Sequence, residues 1–237
     1  MAAGASVMTN KNSILATLSR LQIIPVIAID NPQHAAPLAE TLLNAGLHCA
    51  EITFRTEATV EALKTFASFG QFTLGAGTVI DKKQLNAAIE AGADFIVSPG
   101  FDPALVAECL KNKVQFIPGC CTPSEIQQAI KHSLNLIKFF PAEAFGGVST
   151  LKALSAPFPN VSFIPTGGIT ANNVTTYLGL DCVTACGMTE IVNRDLIATS
   201  DFDTIFELTK KFSIKYRNEF HLQTIFDNVN RSQGLVL

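Results

Sequence analysis

Apolar residues recur along this chain in short unbroken runs, and each run is followed by a longer stretch with apolar positions every three or four residues. The first such stretch, Asn12 to Gln22, places Ile14, Leu15, Leu18 and Leu21 at amphipathic-helix spacing. Ile23 to Ile29 then reads as a buried strand, and Asp30-Asn31-Pro32 as a turn leading into a helix over Gln33–Leu43 that stops at Asn44-Ala45-Gly46. The same alternation predicts strands at Cys49–Phe54, Phe72–Thr78, Phe95–Ser98, Val114–Gly119, Leu136–Lys138, Val161–Pro165 and Asp181–Cys186. The intervening helices are expected over Glu57–Phe69, up to Ala91, and over Pro103–Lys111, Pro123–Lys131 and Val148–Leu154, with another opened by Thr170-Ala171-Asn172-Asn173.

Eight strands alternating with helices imply a parallel sheet covered on both faces. Eight such units in about 200 residues fit an α/β fold of the (β/α)8 barrel type. An open doubly wound sheet usually has fewer strands and a G-x-G-x-x-G turn after the first, which is absent here. No Pro/Gly/Ser-rich linker interrupts the pattern, so residues 1–237 are expected to form one domain. Its barrel spans about 23–211, preceded by the N-terminal helix and followed by a more polar extension over about 212–237, expected as a helix and a loose tail.

Composition narrows the function classes. The chain is 48% hydrophobic and 16% charged, with a formal net charge of −3, so it lacks the basic excess that nucleic-acid binding requires. No apolar run approaches the roughly 18 residues of a membrane span, and residues 1–13 show no basic segment followed by an apolar core, so neither a membrane partner nor a secretory leader is expected. The 6 cysteines form no CxxC pair and no zinc spacing, and several lie in apolar runs, which suits the cytoplasm. With 4 scattered histidines no metal site is expected, and no cofactor is called for.

One position breaks the pattern. Lys138 sits in Leu136-Ile137-Lys138-Phe139-Phe140-Pro141, an apolar strand end, and lysine is rarely buried unless paired or functional. Either its ammonium snorkels to water, or an apolar surround favours the neutral amine that can attack a carbonyl. Strand two carries Glu51, Thr53 and Arg55 at alternate positions, so all three point the same way while Ile52 and Phe54 face the helices. A barrel strand has no wet face, so this polar trio is expected inside, where a carboxylate and a cation near a lysine form a candidate catalytic group. Thr78 after Gly75-Ala76-Gly77, Ser98-Pro99-Gly100 and Pro118-Gly119 end strands with small residues that leave room for a ligand. Thr166-Gly167-Gly168-Ile169, ahead of a helix and after strand seven, is a candidate anion site.

Taken together, Glu51–Thr56, Gly75–Val79, Ser98–Gly100, Ile117–Gly119, Ile137–Glu143 and Pro165–Ile169 resemble the class I 2-keto-3-deoxy-6-phosphogluconate aldolases, which also act on 4-hydroxy-2-oxoglutarate. The resemblance runs from about Ile23 to Leu196 and implies a small keto-acid substrate, a homotrimer and no metal. It implies that Lys138 forms the Schiff base and Glu51 is the general acid/base. Arg55 and Thr78 would hold the substrate carboxylate, with Thr53 supporting it or Glu51. Phe140 would wall the site, and Pro99, Thr166, Gly167, Gly168 and Gly187 would complete the substrate contacts. Two positions depart from the family pattern at its phosphate end: Asp30 stands where a basic residue is common, and Met188 where a serine is common. Two other readings stay open on the residues alone: a phosphate-binding barrel isomerase or synthase that forms no imine, and a barrel without catalysis.

Overall fold

The computed structural model describes residues 14–213. Its elements are α1 (14–21), β1 (Ile23–Ile27), α2 (Ala35–Asn44), β2 (Cys49–Thr53), α3 (Thr59–Ser68), β3 (Thr73–Gly77), α4 (Lys82–Glu90), β4 (Phe95–Val97), α5 (Pro103–Asn112) and β5 (Gln115–Ile117). They continue with α6 (Pro123–Lys131), β6 (Leu136–Phe139), α7 (Gly147–Ser155), β7 (Ser162–Pro165), α8 (Val174–Leu178), β8 (Cys186–Met188), α9 (Arg194–Ala198) and α10 (202–213). The extension expected beyond α10 lies outside the described residues.

Local chemistry explains where the helices begin. Asp102 and Thr122 cap α5 and α6, each followed by a proline whose fixed φ suits the first helical position and whose missing N–H costs nothing there. Thr122 and Glu125 form a reciprocal capping box, so two otherwise unpaired amide groups are satisfied by two side chains. Along α2 the buried residues are Ala35, Leu38, Ala39 and Leu42, the stripe that a helix needs to lie on a sheet. The N-terminal helix buries Ile14, Leu18 and Leu21, but Leu15, expected on the same face, is 40% exposed. Residue 15 falls about 100° round the helix from 14, at the edge of the buried stripe.

All strand pairs are parallel. Six strands run in the order β5-β4-β3-β2-β1-β8, and β6 pairs with β7. Two seams close the circle. Lys138 N–H donates to the Pro118 carbonyl and Cys120 N–H to the Lys138 carbonyl, both at 2.9 Å, joining β5 to β6. Phe163 N–H donates to Cys182 and Thr184 N–H to Phe163, and a bridge pairs Thr166 with Gly187, joining β7 to β8. The result is the expected eight-stranded barrel, with its helices outside. Strands such as IIPVI and CAEIT are buried at every position, as a sheet covered on both faces requires.

Strand eight corrects the sequence reading. The expected span was Asp181–Cys186, whereas the residues in the ladder are Cys186–Met188, paired with Ile23, Ile24 and Pro25. The apolar character of 182–186 marks burial and not the pairing register. Val183 N–H turns back onto the Leu180 carbonyl, so the chain joins β1 only afterwards. Glycine at 187 permits that register, because a Cβ there would lie 2.4 Å from Thr166 Oγ1. Strand six runs one residue beyond its expected end, to Phe139, so Lys138 is held between β5 and β7.

Candidate active site

The barrel topology carries Lys138 on β6 and Glu51 on β2 towards each other across the interior. Lys138 Nζ lies 3.0 Å from Glu51 Oε1, between residues 87 apart in sequence. The two are 4% and 2% exposed. An ion pair this dry is a weak source of stability, because desolvating both charges offsets much of their attraction. Its value lies in placing a proton acceptor against an amine. Glycine at 77 makes room for it: a Cβ there would sit 2.2 Å from Glu51 Oε1 and 2.7 Å from its Cγ. The Phe140 ring is centred 5.4 Å from Nζ.

Around this pair the ends of the strands are tied down by side chain to backbone bonds. Thr53 donates its hydroxyl to the Ile27 carbonyl at 2.8 Å, and Thr59 donates to the Thr53 carbonyl at 2.8 Å, so β1, β2 and the start of α3 are locked together. The trio of alternating residues thus divides: Glu51 and Thr53 are buried on β2, and Arg55 lies beyond the strand end, exposed at the mouth. Its guanidinium has no ion pair among the described residues and is available to an anion. Thr78, just past β3, is half-buried and holds φ 57°, a conformation that a β-branched residue adopts only under constraint. Pro99 is exposed in the turn after β4, and its carbonyl packs against Gly119, where a Cβ would meet it at 2.1 Å.

After β7, Thr166 is 3% exposed and its hydroxyl lies against Gly187. Gly167 and Gly168 follow with φ of 98° and 81°, in the region that glycine enters freely. Their carbonyls are committed: Gly167 accepts the Glu143 N–H at 3.1 Å, and Gly168 accepts Asn173 Nδ2 at 2.9 Å. Among the described residues neither glycine N–H has a protein acceptor. The helix expected to open at Thr170 is α8, which starts at Val174 and has only 5 residues. Turns precede it because the Thr170 N–H is taken by Asn173 Oδ1 and the Ala171 N–H by Glu190 Oε2. An anion here would therefore meet glycine amides and not the end of a long helix.

Three residues that the sequence reading did not assign shape this end of the barrel. Glu190, after β8, places a carboxylate 2.7 Å from the Ala171 amide. Arg194 binds Asp30 through two nitrogens, its Nε at 2.6 Å, and this hydrogen-bonded pair holds the Asp30 carboxyl below the usual aspartate range. Asp30 is thus already neutralised, and Met188 is buried in the core at 1% exposure. Tyr177, fully buried on α8, donates to Glu143 Oε1. A buried tyrosine needs an acceptor, which is the one sign of this contact in the sequence. Nothing local marks Glu190 or Arg194.

The family model describing KDPG and KHG aldolase matches residues 14–208. This chain belongs to that family. It is 40% identical over 200 residues to the 2-dehydro-3-deoxy-phosphogluconate aldolase of Treponema pallidum, covering 84% of this chain and 95% of that protein. To the KHG/KDPG aldolase of Escherichia coli K12 it is 38% identical over 202 residues, covering 85% of this chain and 95% of that one. Among solved structures it resembles the KDPG aldolase of Legionella pneumophila with pyruvate captured as a covalent carbinolamine, at 38% identity and TM-score 0.81, covering 84% of this chain and 98% of that chain. The matched region contains both the Lys138 and the Glu51 strands.

Proposed function

We propose that this chain is a class I aldolase that cleaves a 2-keto-4-hydroxy acid to pyruvate and an aldehyde by way of an imine on Lys138. The observation that carries the reading is the buried Lys138–Glu51 contact at 3.0 Å, inside a family whose Legionella relative holds pyruvate as a carbinolamine. Glu51 accepts the ammonium proton, and the free amine adds to the C2 carbonyl. The carbinolamine takes a proton back from Glu51 and loses water, leaving a protonated imine. Glu51 then removes the C4 hydroxyl proton, the C3–C4 bond breaks, and its electron pair enters the imine to form an enamine as the aldehyde departs. Protonation at C3 and hydrolysis release pyruvate and restore the amine.

Arg55 and Thr78 stand at the mouth to hold the C1 carboxylate, a pairing suited to a guanidinium fork. Phe140 and Pro99 wall the chain of the substrate, and Thr53 fixes the strand end that bears Glu51. The Thr166, Gly167, Gly168 and Gly187 group faces the far end. There the Glu190 carboxylate adds negative charge, which supports weaker selection for a phosphate-bearing substrate and room for 4-hydroxy-2-oxoglutarate. Free cysteines at all six positions support a reducing compartment such as the cytoplasm, and no helix among the described residues is long and apolar enough to cross a membrane. The resemblance supports a homotrimer, which light scattering on the purified chain tests.

The function is tested by incubating the protein with pyruvate and borohydride and locating the added mass by peptide mapping. A single adduct on Lys138 is expected. An adduct on another lysine, or none, would remove the aldolase reading and favour a barrel enzyme that makes no imine.

A further inference from the structure

The loop after β6 and the loop after β7 are joined by more than chance packing. Ala142 N–H donates to the Thr166 carbonyl at 2.8 Å and Glu143 N–H to the Gly167 carbonyl at 3.1 Å. The Glu143 side chain lies flat on Gly168, whose Cβ, if it had one, would be 2.6 Å from Glu143 Cγ. Its carboxylate then accepts the hydroxyl of Tyr177, a side chain with no exposed surface. Gly147 closes the other side: a Cβ there would meet Glu143 Oε1 at 3.0 Å and the Tyr177 hydroxyl at 3.1 Å. Four elements therefore converge on one exposed carboxylate five residues beyond Lys138.

We propose that Glu143 and Tyr177 are positioning residues that hold the Gly167–Gly168 turn, and with it the distal end of the substrate, in register with Lys138. The proposal rests on the aldolase reading. The turn's carbonyls are tied back while its N–H groups meet no acceptor among the described residues, so its orientation decides whether those amides face a substrate oxygen. Without the tyrosine hydroxyl the Glu143 carboxylate is no longer held to one side. It is then free to swing over the Gly168 amide as a competing anion. Burial pushes the Tyr177 hydroxyl up from its ordinary range, so it stays a donor across the working pH range.

Two reactions separate positioning from general support. Exchange of the pyruvate methyl protons with deuterated water needs only the imine and a base, whereas cleavage of 2-keto-3-deoxy-6-phosphogluconate also needs the distal contacts. Tyr177→Phe and Glu143→Ala are expected to keep methyl exchange within about twofold of wild type. Their cleavage should lose about tenfold to a hundredfold in kcat/KM, mostly through KM, the scale of a substrate misplaced by about an ångström. Glu143→Gln retains an acceptor for Tyr177 and is expected to restore cleavage. Equal loss of exchange and cleavage in both losing variants would overturn the proposal, as would unchanged cleavage. Glu143 is exposed, so Glu143→Ala remains a test if Tyr177→Phe fails to fold. A wild-type protein that exchanges no methyl protons would instead overturn the aldolase reading.

Discussion

Gly77→Ala adds a single methyl group directly against the proposed general base. Position 77 ends a regular strand, so alanine meets no backbone penalty there. On unfolded-chain entropy alone the change would stabilise by roughly 0.4–1 kcal/mol. The new Cβ, however, would stand 2.2 Å from Glu51 Oε1 and 2.7 Å from its Cγ, about an ångström inside van der Waals contact. Glu51 is 2% exposed and cannot swing into water, so it must move across the interior and lengthen its 3.0 Å contact with Lys138. Overpacking of this kind costs about 1–3 kcal/mol, or a fall of a few degrees in Tm for a chain of this size. The chemical loss should be far larger, because acid–base catalysis contributes about 10²–10⁴-fold and depends on placement.

A control lies two residues earlier on the same strand. Gly75 is the register partner of Glu51, but the nearest atoms that a Cβ there would meet are those of the Phe95 ring, at 2.3 Å, and not the Glu51 carboxylate. Gly75→Ala should therefore lower Tm comparably while the folded protein keeps its kcat. Steady-state cleavage together with thermal melts on both variants gives the comparison, and a loss of about a hundredfold is expected for Gly77→Ala alone. Full kcat in Gly77→Ala, or equal losses in both variants, would show that Glu51 does not act from the position described.

Removing one member of the buried pair should separate folding from chemistry. Lys138→Ala leaves Glu51 buried and unpaired and should lower stability by about 3–5 kcal/mol in denaturant titration, whereas Lys138→Arg should keep more of that stability; both should abolish the borohydride adduct. Turnover should survive EDTA, because the electron sink is the protonated imine; loss on chelation with recovery on adding zinc would contradict the mechanism. Glu190→Gln should raise the kcat/KM ratio of 2-keto-3-deoxy-6-phosphogluconate over 4-hydroxy-2-oxoglutarate by about three- to tenfold, a modest effect because solvent screens an exposed charge. An unchanged ratio in that variant would mean that Glu190 lies out of reach of the substrate.

The repeating strands and helices were legible in the sequence because each follows from short-range rules: the pitch of a helix, burial of a parallel strand, and Asp or Thr ahead of proline at a helix start. α6 falls at Pro123–Lys131, where its capping residues put it. Lys138 was legible for a related reason, since a cation in an apolar strand needs a partner, and Glu51 was the carboxylate facing inward from another strand. Their 3.0 Å meeting across 87 residues came only with barrel closure. Other features depended on closure entirely. The apolar run before β8 could not reveal which of its residues pair with Ile23–Pro25, because every register buries something. Asp30 read as an anion where a basic residue is common, and only the fold brought Arg194, 164 residues away, beside it. Glu190 and the Tyr177–Glu143 contact likewise join loops from different strands, and which loops become neighbours at the mouth is decided by the order of strands round the barrel, not by any pattern within a single segment.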